Sequence, residues 1–298
     1  MKRDFEYVVP ERLNGCVLRD VMKRELGFSS KQIIRMKRQS GAIMQNGKPV
    51  YVIVRVKTGD VLRFVLEEES EHEGIIASKG EFSICFENSD VLVVDKPAGL
   101  AVHPAPGDRE QTLGNFVVGY YQSQGQKIVY RPVNRLDRGT SGLMVIAKNA
   151  YSHAVLAQQL HRDSFVREYL AVTEGCPEPK QGTVCAPIAR EEGSVLRRTV
   201  SQDGAEAITH YWVDQINDRY SLVRLRLDTG RTHQIRVHMA YLGCPLVGDF
   251  LYGHESEEIV RCALHSAYLA FDLPFSGERI ELSSPLPDDM RQLLERES

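Results

Sequence analysis

The 298-residue sequence has no C-x-x-C pair among its six cysteines, Cys16, Cys85, Cys176, Cys185, Cys244 and Cys262, and no zinc-like spacing of cysteine with histidine. Neither a disulfide framework nor a structural zinc site is indicated, so reduced thiols are expected. No segment approaches the length of a membrane span, and the opening MKRDFEYVVPERLNG lacks an apolar core of signal-peptide length. The expectation is a cytoplasmic chain without membrane contact. A Gly-rich nucleotide loop and an HExxH helix are missing as well. With 26% charged and 42% hydrophobic residues and no internal repeat, what remains is an ordinary folded chain. Its length allows one large and one small module.

The formal net charge of −3 conceals an uneven distribution. Twelve Lys and Arg face four acidic residues between Glu11 and Arg63, a local +8 that leaves −11 for the rest. Leu13, Val17, Val21 and Met22 recur at helical spacing, predicting a helix over 12–26 that stops at Gly27. A second helix follows in SSKQIIRMKRQSG, with Ser29 or Ser30 as its cap and Ile33 and Ile34 as anchors. Lys31, Arg35 and Arg38 lie at i, i+4 and i+7, on one face of that helix. Such a face suits a phosphate backbone, but it also suits simple solvation. AIMQNGKPVYVIVRV reads as a hairpin about Asn46-Gly47, and GDVLRFVL as a further strand. The acid-rich EEESEHEGIIASKGE has the look of a linker. The predicted division is a small module over 1–66, a linker over 67–81 and a large module over 82–298.

In the large module, apolar strand-like runs such as VLVVDK, GLMVIAK and REYLAVTEG interleave with helical stretches TLGNFVVGYYQ and AYSHAVLAQQLHR. The alternation is irregular, which predicts a mixed α+β domain whose sheet is largely antiparallel and flanked by helices and loops. Within NRLDRGTSGL, Asp137 stands between Arg135 and Arg138 in a loop rich in glycine. It could be a solvated surface carboxylate, or an ionised nucleophile held by cations. Tyr169 lies on a predicted strand, where packing is the commoner role. In LDTGRTHQIRVHMAYLG, Thr232 is the predicted cap of a helix with Ile235, Met239 and Leu242 on its apolar side. Arg236 shares another face with the small residues Ala240 and Gly243, so it points into a contact, for which a salt bridge between elements is the simplest account. His103, His233, His238 and Asp249 prompt a metal-hydrolase reading that no ligand motif supports. The isolated DTG at 228–230 is likewise discounted.

Taken in order, VLVVDKPAGLAVHP, NRLDRGTSGLMVIAK, REYLAVTEG, GRTHQIRVHMAYLGCPLVGDFLYG and ALHSAYLAF resemble the successive motifs of RluA/RluD-type pseudouridine synthases over about residues 82–290. Two helices, a basic second face, an Asn-Gly hairpin and KTGDVLRF resemble an S4 RNA-binding domain over about 11–66. The resemblance implies isomerisation of uridine to pseudouridine in RNA, with no cofactor and no metal. The RNA it implies is ribosomal, from the large subunit, with transfer RNA as the alternative, and the enzyme is expected to be a monomer. It further implies Asp137 as nucleophile, Tyr169 as proton acceptor beside the base, Arg236 as the ion-pair partner of the nucleophile, and Arg135 as the residue that enters the RNA stack when the nucleotide flips. Lys31, Arg35 and Arg38 would bind RNA through the small module, and Arg231, His233 and Gln234 through the large one. Two positions depart from the family pattern: Asn134 replaces the usual histidine and Arg167 the usual lysine. A non-catalytic RNA-binding assembly factor on the same fold is the rival reading, against which stands the presence of Asp137, Tyr169 and Arg236 together.

Overall fold

A computed structural model describes residues 2–67 and 74–295. The stretch 68–73, part of the predicted linker, lies outside the described residues. The first unit comprises β1 (Lys2–Val8), α1 (Leu18–Asp20) continuing into a wider π-type turn (Val21–Glu25), α2 (Ser30–Lys37), β2 (Ile43–Gln45), β3 (Lys48–Pro49) and β4 (Val61–Glu67). Its sheet runs β1-β4-β2-β3. Leu62, Phe64 and Leu66 alternate inward from β4, the period-2 pattern of a half-buried strand. Ser29 caps α2 in a capping box with Gln32, as its position suggests.

Three local expectations need correction, and one strand is added. Gly15, at φ 77°, interrupts the predicted helix over 12–26, which is cut to a short 3₁₀ turn (Glu11–Leu13) and the helix from Leu18. Ile33 is buried but Ile34 is 52% exposed, so one isoleucine anchors α2 rather than two. The run from Tyr51 to Val56 is no strand, because the amides of Leu18 and Arg19 take the carbonyls of Val54 and Val52, both at 2.8 Å. Residues 2–8, unassigned from sequence, pair with β4 from Lys2↔Glu67 to Val8↔Val61.

The second unit is built on one large sheet. Its elements are β5 (Ser83–Glu87), β6 (Val91–Lys96), α3 (Leu113–Ser123), β7 (Arg131–Pro132), β8 (Ser141–Ala147), α4 (Ala150–Gln159), β9 (Val166–Glu174), β10 (Gln181–Cys185), β11 (Ile188–Arg190), β12 (Arg198–Val200), β13 (Ile208–Ile216), β14 (Tyr220–Leu227), α5 (Gln234–Tyr241), β15 (Leu264–Asp272), β16 (Arg279–Ser283) and α6 (Asp288–Glu295). The spatial order is β10-β13-β14-β9-β15-β8-β6-β5, with β16 beside β15 and β7 beside β8. Its pairings are antiparallel except β8 with β15. The architecture is the mixed α+β one predicted. Strand β8 is buried along its whole length, as expected of a strand covered on both faces. Met144 and Ile146 join the cluster with Leu113, Val117 and Tyr121 of α3, while Leu143, Val145 and Ala147 join the one with Leu156 of α4.

The two units share an aromatic core. Phe5 and Phe28 of the first pack on Tyr151 of α4 with ring centroids 5.7 and 4.7 Å apart, and Phe275 closes on Phe5 at 4.6 Å. Arg3 adds a bidentate bond to buried Asp90 at 3.0 and 2.9 Å.

Candidate active site

The loop from Val133 to Thr140 enters β8 under several restraints. Asn134 is buried, and its Oδ1 accepts the Val145 amide at 2.8 Å, which fastens the loop to β8. Asparagine at this place therefore has a backbone-holding function. The Arg138 side chain donates to the Gly99 carbonyl at 2.9 Å, and the Gly99 amide donates back to the Arg138 carbonyl at 2.8 Å. Arg138, left open by the sequence, thus builds the loop. Beneath it Lys96 is wholly buried, donating to the carbonyls of Pro97, Leu100 and Arg138 at 2.9, 2.8 and 3.3 Å. Burial lowers the Lys96 pKa to about 7, against the attraction of Asp137.

So fixed, Asp137 faces a cavity of about 280 Å³. Arg135, Tyr169, Arg231, His233, Gln234 and Arg236 line the same cavity, together with both departures from the family pattern, Asn134 and Arg167. Residues spread over a hundred positions converge because β9, β14 and the start of α5 meet the loop at one end of the sheet. Lys31, Arg35 and Arg38 are not part of this site; they lie exposed on and just beyond α2.

The site charges form a short chain. Arg236 Nη1 stands 3.6 Å from Asp137 Oδ2, and its Nε and Nη2 grip Asp249 at 2.7 and 2.6 Å. The salt bridge between elements and the contact with Asp137 are thus both present in one guanidinium. Although burial works against its charge, the hydrogen bond to Asp249 and the surrounding negative groups raise the Arg236 pKa. Asp249 is 0% exposed; the sequence singled it out only in the discounted metal-ligand reading and within the GDFLYG motif, not as the partner of Arg236. His233 Nε2 lies 3.8 Å from Asp137 Oδ2, and its Nδ1 is 2.8 Å from the Tyr252 hydroxyl.

Tyr169 is buried on β9. Burial raises its pKa, and although the charge of Arg167 opposes this, the net direction stays upward. Arg167 is thus a neighbouring cation that works against the larger effect of burial. Two expectations change. Gln234 spends its amide internally: Nε2 donates to the Ile208 carbonyl and Thr209 Oγ1, while Oε1 accepts from Thr229 Oγ1 and the Arg231 amide. All four hydrogen-bonding positions are used, so it shapes the pocket rather than reading RNA. Thr232 does not cap α5; His233 does so in the left-handed conformation, with no side-chain cap bond. Arg231 stays exposed, donating to the Glu206 carbonyl at 2.8 Å, and Arg135 is exposed on the pocket wall. His238 is occupied by Thr209 and the Ala186 carbonyl, and among the described residues no cluster of three or more His, Cys, Asp or Glu is arranged to hold a metal ion.

Residues 90–241, which include Asp137, Tyr169 and Arg236, match the model of the RNA pseudouridylate synthase family. The uncharacterized RNA pseudouridine synthase YhcT of Bacillus subtilis is 41% identical over 98% of this chain and 96% of its own length. The ribosomal large subunit pseudouridine synthase D of Pseudomonas aeruginosa is 39% identical over 78% of this chain and 77% of its own. Among solved structures, human RNA pseudouridylate synthase domain containing 1 aligns with a TM-score of 0.57 and 26% identity, covering 69% of this chain and 83% of its own. Near-complete alignment with such relatives and a shared fold, with Asp137, Tyr169 and Arg236 on one cavity, establish that the chain belongs to the RluA/RluD-type family of RNA pseudouridine synthases.

Proposed function

We propose that the protein converts uridine to pseudouridine in large-subunit ribosomal RNA, with Asp137 as nucleophile toward a nucleotide flipped out of the RNA stack. The observation that carries this reading is the Asp137 carboxylate on a cavity wall, within ion-pair distance of a guanidinium that Asp249 holds in place. In the reaction the N1–C1′ bond breaks, uracil turns, and C5 bonds to C1′. The proton lost from C5 is balanced by one gained at N1. Arg236, 3.6 Å away, aims the carboxylate. Tyr169 offers its ring to the flat face of the base and its hydroxyl as a relay: it gives its proton to N1, and the resulting phenolate accepts the one lost from C5. Arg135, exposed beside Asp137, is the residue to fill the vacated place in the stack.

The ribosomal substrate is favoured by the name borne by the Pseudomonas aeruginosa relative and by the basic small module, which we assign to the S4 type. A non-catalytic assembly factor would have no need to keep Asp137, Tyr169 and Arg236 converged on one cavity. Mapping pseudouridines in total RNA from cells with and without the gene tests substrate and activity together. Asp137→Asn is expected to abolish pseudouridine formation while RNA binding persists, and full activity in that variant would sink the assignment.

A further inference from the structure

Building on the reading of Asp137 as nucleophile, we propose that His233 is a positioning residue for it. The Tyr252 hydroxyl holds the neutral imidazole in the tautomer whose Nε2–H faces the Asp137 carboxylate.

The place of each proton follows from the hydrogen-bond chain. The backbone amide of Arg198 donates to the Tyr252 hydroxyl at 2.8 Å. A hydroxyl has one proton to give, and the partner facing it is His233 Nδ1, also at 2.8 Å. Nδ1 is the acceptor in this proposal, because the opposite tautomer would set an Nε2 lone pair against the Asp137 carboxylate, and the ring's own hydrogen then resides on Nε2. That nitrogen is 3.8 Å from Asp137 Oδ2, a separation of the kind that tightens when an active site closes on its substrate.

The surroundings keep the ring neutral. Burial lowers the His233 pKa; Arg236 and Arg198 push the same way, while Asp137 and Asp249 oppose, and the net direction is down. Neutrality matters chemically. An imidazolium added to Arg236 would stabilise the carboxylate further as an anion and blunt it as a nucleophile, whereas a neutral N–H orients it.

Two features of the fold serve this arrangement. His233 adopts φ 61° and ψ 17°, a conformation costly for a residue other than glycine, and so turns its ring away from capping α5. The Tyr252 ring meets His233 edge-on at 5.6 Å and lies 5.1 Å from the Arg236 guanidinium carbon. Asp249, which grips Arg236, also accepts the Leu251 and Tyr252 amides at 3.1 and 3.3 Å. One buried carboxylate thus sets both supports of Asp137.

The test uses the full chain and bulk RNA, tritiated at uridine C5, from cells lacking the gene. Tritium release reports turnover. Tyr252→Phe keeps the ring and removes the proton donor, so kcat is expected to fall about tenfold or more with KM unchanged. The deficit should shrink as the pH is lowered into the range where His233 takes a second proton, because an imidazolium carries N–H on both nitrogens. His233→Gln, whose amide can present an N–H toward Asp137, should keep more activity than His233→Ala. A folded Tyr252→Phe enzyme with unchanged kcat, or with the same deficit at every pH, overturns the proposal. If that variant does not fold, equal activities of His233→Gln and His233→Ala overturn it instead. Asp137→Asn assayed alongside separates the two ideas: turnover there removes the nucleophile itself, whereas the Tyr252 and His233 variants speak only to its orientation.

Discussion

A single buried lysine underlies the loop that carries Asp137. Lys96 Nζ finds three carbonyl oxygens, and one of them belongs to Arg138, next to Asp137. Lys96→Met would preserve most of the side-chain volume but strand those carbonyls in a dry interior. The expected cost is about 3 kcal/mol, read as a lower urea midpoint. Turnover should fall with it, since the loop loses its floor. A lysine in DKPAG is visible in the sequence, yet its partners are main-chain atoms from two separate turns, which no pattern of side chains announces. Asp249 was hidden for a related reason. Its meaning depends on Arg236, thirteen positions earlier, folding back onto it, and residue type alone gave no direction to that contact. Asp137, Tyr169 and Arg236 were legible because their motifs occur together in order.

Among the secondary elements, the junction of β8 with β15 has least tolerance. Gly142 sits at φ 109°, and a Cβ there would stand 2.3 Å from the Ser266 carbonyl oxygen. Gly142→Ala is therefore expected to unfold the protein or to lower its melting temperature sharply, measurable by calorimetry. In the first unit, Lys31, Arg35 and Arg38 lie exposed on α2 and at its C-terminus. Their joint replacement by Ala should weaken RNA binding and flatten its dependence on salt, because fewer counterions are released. Unchanged affinity and slope would assign those side chains to packing. Elements with strong local signals were read well: the Ser29 cap of α2, the helical stretch that became α3, and the apolar run of β8. Tyr51–Val56 misled because its residues favour strands, while its carbonyls were needed by the first helix. The start of α5 misled because His233 took a conformation that ordinary propensity disfavours.

For the whole molecule, acid should be the weak side. His103, His153, His233, His238 and His265 all have pKa values lowered by burial. In the unfolded chain each would titrate near about 6.5, so below that value the unfolded state binds more protons than the folded one. Stability present above pH 6.5 or so is consequently lost as the pH falls, and melting temperatures measured from pH 7.5 down to 5 should decline. A flat profile would mean that these rings accept protons in place. The same scale explains why the attachment of the small unit escaped sequence reading. Phe5, Phe28, Tyr151 and Phe275 come from distant segments, and only the assembled aromatic cluster shows that they belong together.

Strand β15 occupies the middle of the large sheet, between β8 and β9, although it follows both in the chain by roughly a hundred residues. Asp137 precedes β8 and Tyr169 lies on β9, so the spacing between them is set by a strand that leaves the ribosome after both. Synthesis thus delivers the strand that spaces Asp137 from Tyr169 only after both of them. A nascent chain halted before Leu264 would already display the exposed cations of α2, yet Asp137 and Tyr169 would lack the strand that sets their spacing.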